Sequence, residues 1–360
     1  MPEKETVFLV VPRYKGFDDR RNIEEIKSLI IAAGGITVGI YEFSFNFPDV
    51  AFGIPRNNVK KIAQEIQRLG ADLCVFDYNL KPGQIRNLEK NIGNRVITRT
   101  DVILHIFANN AHTSEAALQV ETAQLQNLFP KLSGKGKEMS RLGGGIGTRG
   151  PGETKLEVDR RHIRRRLAVL RKKLTLIEKR RELLRKKRPW STIALVGYTN
   201  AGKTTLLNVL AKERLKTENA PFVTLDPVVR KIWISNDFIL LISDTVGFIS
   251  HLPHFLISSF RATLGEVIHA DGIIHVVDAS DDFPEEKIEI VEQILLELDE
   301  NIKHKKMIYV FNKCDIANKG TLERLLKKWP DGIFVSAKTL EGIDVLKKRL
   351  LIFKKINKQN

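Results

Sequence analysis

The stretch Gly197-Tyr198-Thr199-Asn200-Ala201-Gly202-Lys203-Thr204 constrains this chain more than any other. It has the form G-x-x-x-x-G-K-[ST] and lies between the apolar run Ile193 to Val196 and a helical pattern. Such a turn works only where a buried strand ends and a helix begins. Its backbone N–H groups and the helix N-terminus must point together at a phosphate. The motif therefore demands an α/β sheet. Lys203 is placed to reach β- and γ-phosphates, and the Thr204 hydroxyl to ligate Mg²⁺. Gly197, Asn200, Ala201, Gly202, Lys203, Thr204 and Thr205 are the candidate phosphate-binding residues.

Three further motifs follow in order, each after an apolar run. Asp244-Thr245-Val246-Gly247 reads as D-x-x-G. There Asp244 would hold Mg²⁺ through water, and the Gly247 N–H would sense a γ-phosphate. Asn312-Lys313-Cys314-Asp315 reads as N-K-x-D. A carboxylate at Asp315 can accept from guanine N1–H and N2–H₂, a donor pair adenine lacks, so the site favours GTP over ATP. Ser336-Ala337-Lys338 would support the base. Between the first two motifs, Thr224 is the candidate second Mg²⁺ ligand and Thr217 its rival. The candidate metal ligands are thus Thr204, Thr224 and Asp244, and the catalytic candidates Lys203, Thr224 and Gly247. Ras-type switches carry a water-orienting glutamine after D-x-x-G; here Phe248 stands in that place. A phenyl ring cannot polarise water, so a slow intrinsic rate is expected.

The rest of the chain divides into two segments. Residues 1–112 alternate strand and helix: strands at Val7 to Val11, Ile36 to Phe45, Ala71 to Phe76 and Val102 to Phe107, helices near Asp19 to Ala33 and Val59 to Leu69. That pattern predicts a small parallel sheet. Its first strand–helix turn, PRYKGFDDR, has one glycine and no phosphate fingerprint. Residues 113–188 predict a helical hairpin. A helix at 113–129, capped by Thr113 or Ser114, stops before Pro130. A second runs from about Leu156 to Lys187. Leu156, Ile163, Leu167, Leu170, Leu174, Ile177 and Leu184 form its seam. Residues 189–360 carry the four motifs.

The formal net charge is +16, and residues 155–188 alone hold sixteen Lys or Arg against four Asp or Glu. Solvated helix faces mix signs, so this one-sided helix points to a polyanionic partner, nucleic acid before anionic lipid. Cys74 and Cys314 are the only cysteines, too few for a disulfide framework or structural zinc. No apolar run approaches the roughly eighteen residues a membrane span needs, and MPEKETVFLVV is unlike a signal peptide. A cytoplasmic protein without stable membrane insertion is expected, with a peripheral place at a membrane surface as the lesser alternative.

A second glycine loop, GGGIGTRGPG at 143–152, runs into ETKLE. It lacks the lysine–threonine pair and preceding strand of a phosphate loop. Gly144 to Glu157, with Asp159-Arg160-Arg161, LKPGQIRNLE at 80–89, LQVE at 118–121, PFVTLDP and DTVGFISHLPH, resembles the HflX family of translational GTPases over nearly the whole chain. The resemblance implies an α/β fold: a small N-terminal parallel-sheet domain with a basic helical hairpin, followed by a Ras-like P-loop GTPase domain. It implies GTP hydrolysis to GDP with Mg²⁺, and makes Thr224 the switch threonine. Members of the family bind the large ribosomal subunit, and some split stalled or idle ribosomes. The expected partner is therefore the large subunit and its rRNA, met by the 143–188 loop and hairpin. The alternative is a nucleotide-gated RNA or subunit-binding module with negligible turnover.

Overall fold

The computed structural model describes residues 4–13, 20–44, 49–132, 155–212, 221–222 and 228–356. The chain forms two compact units, Met1–Asn109 with Ala117–Leu174, and Asn110–Ala116 with Thr175–Asn360.

The first unit is built on β1 (Thr6–Arg13), α1 (Arg20–Ala32), β2 (Ile36–Ser44), α2 (Arg56–Leu69), β3 (Leu73–Phe76), α3 (Pro82–Ile92), β4 (Arg95–Thr98) and α4 (Arg99–Asn110). The strands pair in the order β2-β1-β3-β4, all parallel. Phe8 and Val10 point into one core with Ile62, Ile66, Cys74 and Leu88. Val7, Leu9 and Val11 are buried as well, which is why β1 reads as an unbroken apolar run.

One predicted strand is a helix. Val102 to Phe107 lies inside α4, and the fourth strand is β4 just before it. Asp101 accepts from the Thr98 N–H at 2.9 Å and the Thr98 hydroxyl at 2.7 Å, turning the chain into the helix. Val102, Ile103, Leu104, Ile106 and Phe107 are all buried and only His105 is exposed among them, so the short run reads as a strand and reveals no helical period. Helix α3 is a further element beyond the predicted set. Pro82 opens it, and Gln84 Oε1 accepts from the Lys81 N–H at 2.8 Å.

The helix α5 (Ser114–Lys131) is capped by Thr113, whose hydroxyl accepts from the Ala116 N–H at 3.1 Å. It passes through Pro130, where a stop was expected. The final turn is held from outside: Asn127 Nδ2 and Lys131 Nζ both reach Asp101 Oδ1, at 2.7 and 2.5 Å. The long helix α6 (Lys155–Lys186) follows, about 48 Å from end to end. Within the first unit it runs antiparallel to α5. Arg166 makes a two-point bond to Glu121 at 2.6 and 2.8 Å, while Arg160 and Arg164 each stack on Phe129 at 5.3 Å. Leu167 and Leu170 of the predicted seam are buried, but Leu184 is 56% exposed, so the seam closes only in part.

The second unit adds β5 (Thr192–Val196), α7 (Lys203–Ala211), β6 (Val228–Ser235), β7 (Phe238–Asp244), α8 (His254–Ser259), α9 (Arg261–His269), β8 (Gly272–Asp278), α10 (Pro284–Leu298), β9 (Lys306–Asn312), α11 (Lys319–Lys328), β10 (Ile333–Phe334) and α12 (Ile343–Leu350). The sheet order is β10-β9-β8-β5-β7-β6. Every pairing is parallel except that of β6 with β7. Ile193, Leu195, Leu206, Leu240, Ile274, Val310 and Phe353 share its main core. The connections from β5 run to one side and those from β8 to the other. This switch point opens a crevice at the carboxyl end of β5, where the glycine-rich turn begins.

Candidate nucleotide-binding site

Four turns converge at the carboxyl edge of the second sheet. The first leaves β5 at Gly197 and enters α7 at Lys203. Glycine is required at both ends of it. A Cβ on Gly197 would stand 2.1 Å from the Val276 carbonyl oxygen, and one on Gly202 would stand 2.3 Å from Asn312 Nδ2. Both glycines also have positive φ, 154° and 87°. The close approach lets Asn312 tie the turns together. Its Nδ2 donates to the Ala201 carbonyl at 2.9 Å, and its Oδ1 accepts from the Ala337 N–H at 3.0 Å. Asn312 thus joins the glycine-rich turn to the Ser336–Lys338 turn.

Lys203 is buried and donates from Nζ to the carbonyls of Gly197 at 3.1 Å and Tyr198 at 2.9 Å. Burial pulls its ammonium down to about 8, and Asp244 opposes that shift. The Thr204 hydroxyl donates to Asp244 Oδ2 at 2.6 Å. Asp244 is fully buried at the end of β7. Thr245 anchors the following residues by donating to the Leu195 carbonyl at 2.6 Å.

The Asp244–Gly247 stretch lies directly over the glycine-rich turn. Gly247 packs against Thr199 and Lys203. The Thr199 N–H donates to the Phe248 carbonyl at 2.7 Å, and the Phe248 N–H donates to the Gly197 carbonyl at 3.1 Å. The Phe248 side chain is 2% exposed. The Ser250 N–H donates to the Tyr198 hydroxyl at 2.7 Å. In this arrangement loop N–H groups that could face an anion are paired with the chain itself.

At the third turn Lys313, with φ of 63°, reaches Asp278 Oδ2 at 2.6 Å, and the Cys314 N–H donates to the Val335 carbonyl. Asp315 is exposed beside it, as is Lys338, whereas Ser336 and Ala337 are buried. Asn200 is exposed, and Thr205 half-buried on α7. All the predicted residues from Gly197 to Thr205, with Asp244, Gly247, Asn312 to Asp315 and Ser336 to Lys338, therefore sit at this one edge. Thr224 and its rival Thr217 lie outside the described residues, as does the 143–152 loop. Asp278 and the Tyr198 hydroxyl are parts of the frame that motif reading passed over. Asp278 ends the run IIHVVD, and its position at a strand end was the available signal.

The sequence around this edge has well-defined relatives. Residues 20–108 match the model for a GTP-binding GTPase N-terminal region, 110–188 that for a GTP-binding GTPase middle region, and 192–313 that for a 50S ribosome-binding GTPase. The GTPase HflX of Caldanaerobacter subterraneus subsp. tengcongensis is 42% identical over 336 residues, covering 91% of this chain and 76% of its own. The chain belongs to the HflX family of GTPases. The family's Escherichia coli K12 member is 39% identical over 333 residues, covering 91% of this chain and 78% of its own. Among solved structures, the crystal structure of the SsGBP and GDP complex superposes with a TM-score of 0.53 at 25% identity, covering 98% of this chain and 100% of that one. As an HflX-family GTPase, the chain binds and hydrolyses GTP, and the reading as a binding module without turnover is not favoured. Among the described residues, no helix is long and apolar enough to cross a membrane.

Proposed function

We propose that this chain is a cytoplasmic factor that binds the large ribosomal subunit and gates that hold by hydrolysing GTP. The carrying observation is the convergence of Lys203, the Thr204–Asp244 pair and Asn312 on one turn, within a segment that matches the 50S ribosome-binding GTPase model. In this reading the chain works in three segments, 1–112, 113–188 and 189–360. Lys203 faces the β- and γ-phosphates, and Asp315 reads the guanine edge. Ser336 to Lys338 supports the base, and the Gly247 N–H answers to the γ-phosphate.

Thr204 and Asp244 bring one hydroxyl and one carboxylate together, with no imidazole or thiolate between them. Among the described residues, no group of three or more His, Cys, Asp or Glu could hold a metal ion by itself. Such a sparse oxygen donor set suits Mg²⁺, which keeps waters and takes other ligands from substrate phosphates. The ion would neutralise charge on the phosphates. Thr224 is the proposed further ligand.

Phe248 is apolar and buried, so it cannot orient water where it stands. Intrinsic turnover is accordingly slow and rises when the partner rearranges this stretch. The basic residues of α6 and the 143–152 loop contact ribosomal RNA, and phosphate contacts supply most of that affinity. Phosphate release with and without purified large subunits tests the reading. Stimulation by subunits, with retention of the GDPNP-loaded protein in the large-subunit fraction on sedimentation, is expected. Binding without any change in rate would return the chain to the nucleotide-gated binding module, and absence of binding would remove the ribosomal partner.

A further inference from the structure

Within the second unit, residues 110–116 and 175–188 hold Phe222 and the helix that follows the Asp244–Gly247 turn. Asn110 donates from Nδ2 to the Phe222 carbonyl at 2.9 Å. Phe222 is buried and held at a φ of 60°, a rare conformation for a bulky side chain. It lies two positions before Thr224 in the chain. Arg185 and Arg188 converge on one carboxylate, Glu266 of α9, at 3.2 and 2.8 Å. Glu266 is 3% exposed; burial raises its carboxyl, but Arg188 and Arg185 outweigh that and hold it below the usual range. Helix α9 is the element reached from Gly247 through α8. Lys305 fixes its far end by donating to the carbonyls of Val267, Ile268 and Ala270 at 3.3, 2.6 and 2.5 Å.

The two grips are joined to each other. Glu115, five residues after Asn110, pairs with Arg181 at 2.8 Å, one helical turn before Arg185. Residues 110–116 and the last turns of α6 therefore form one braced piece. One end of it holds the stretch before Thr224, and the other holds the helix after Gly247. A buried carboxylate between two arginines is a poor device for stability alone and a good one for selecting one arrangement over another.

We propose that Asn110 and the Glu266–Arg185–Arg188 clamp are positioning residues that carry the nucleotide state into the basic helix α6. The inference rests on reading residues 197–204 as the nucleotide site. By reciprocity, a ligand on α6 acts back on nucleotide preference through the same bonds.

Amide hydrogen exchange on the full chain, loaded in turn with GDP and GDPNP, tests this. In the wild type, exchange in 175–186 and 110–116 should differ between the two nucleotides by roughly fivefold or more, the lower end of common allosteric couplings. Glu266→Gln should remove the difference in 175–186, and Asn110→Ala should remove it in 110–116, with GDP affinity unchanged. A purely structural role would shift exchange equally in both nucleotide states. Should Glu266→Gln fail to fold, Arg188→Gln, at the more exposed end of the clamp, carries the same expectation. A nucleotide-dependent difference that survives in the variants, or its absence in the wild type, overturns the proposal. A chain that binds neither nucleotide, seen first in the loading step, overturns the site reading and the ties together.

Discussion

The carboxyl edges of the two sheets handle a buried cation in opposite ways. In the first unit Arg99, at the end of β4, bonds to Asp77 just beyond β3 at 2.8 Å and to Glu25 of α1. Burial raises the Asp77 carboxyl to about 7, and Glu25 shares the same guanidinium. In the second unit Lys203 donates to two neutral carbonyls, and Asp244 is engaged with Thr204. A cation clamped between two carboxylates has its field cancelled inside the protein. A cation seated on carbonyl dipoles keeps its charge for a guest anion. Similar α/β edges thus give a self-satisfied junction in one unit and a phosphate seat in the other.

The largest effect should come from breaking the closed edge. Arg99→Leu leaves the buried Asp77 and the half-buried Glu25 without their shared cation, at a cost of about 3–5 kcal/mol. Urea unfolding of the full chain should show a first transition at markedly lower denaturant, with GTP affinity unchanged. A parallel loss of nucleotide affinity would mean that the two edges are not independent.

Emptying the open edge comes next. Lys203→Ala should lower turnover by about 100- to 1000-fold and weaken GTP binding, because it removes the charge aimed at the phosphates. Stability should not fall comparably, since the buried ammonium is itself costly to desolvate. Unchanged phosphate release would refute the assignment of this turn.

The contrast also explains which edge could be read from sequence. The phosphate seat is local: Gly197, Gly202, Lys203 and Thr204 fall within eight positions, and their spacing is dictated by one turn. The Arg99 junction gathers Glu25 of α1, Asp77 just beyond β3 and Arg99 at the start of α4, with 22 positions between Asp77 and Arg99 alone, and no local spacing announces it. Helix α4 was hidden for a related reason. The buried run Val102 to Phe107, broken only by His105, hid its period, while the deciding Asp101–Thr98 bonds involve residues common in many turns. Strand β6 lies outside the predicted strands too, though among the described residues its pairing with β7 is the only antiparallel one in its sheet. The β-branched and aromatic residues of VVRKIWIS, closed by Ser235 and Asn236, were the signal for it.

The open edge should also choose its base. Asp315 is exposed, so its carboxylate is accessible to a guanine. Asp315→Asn turns an amide donor toward the guanine donors and should weaken GTP binding by roughly 10- to 150-fold, the weight of hydrogen bonds to a charged group. Xanthosine triphosphate, with a carbonyl at that edge, should gain. Competition between the two nucleotides measures the exchange, and equal ratios in wild type and variant would show that Asp315 does not face the base.

The smallest effect bears most directly on the difference between the two cations. Arg99 cannot lose its proton in any accessible range, but Lys203 is held to about 8 by burial. Below that value the ammonium is charged in the nucleotide-free protein and binding needs no proton. Above it the amine is neutral, and a bound phosphate must draw a proton back, since the anion raises the pKa of a facing lysine. GDP affinity should therefore be level near pH 7 and fall as pH rises past 8, by at most about tenfold per unit. Titration calorimetry near pH 9 in two buffers of different ionisation enthalpy should register uptake of a proton on binding. Near pH 7 the same pair of buffers should agree. Level affinity between pH 7 and 9, or release of a proton on binding, would mean that Lys203 is no more perturbed than a surface lysine. The contrast with Arg99 would then lie in geometry alone, not in the charge that each edge holds available.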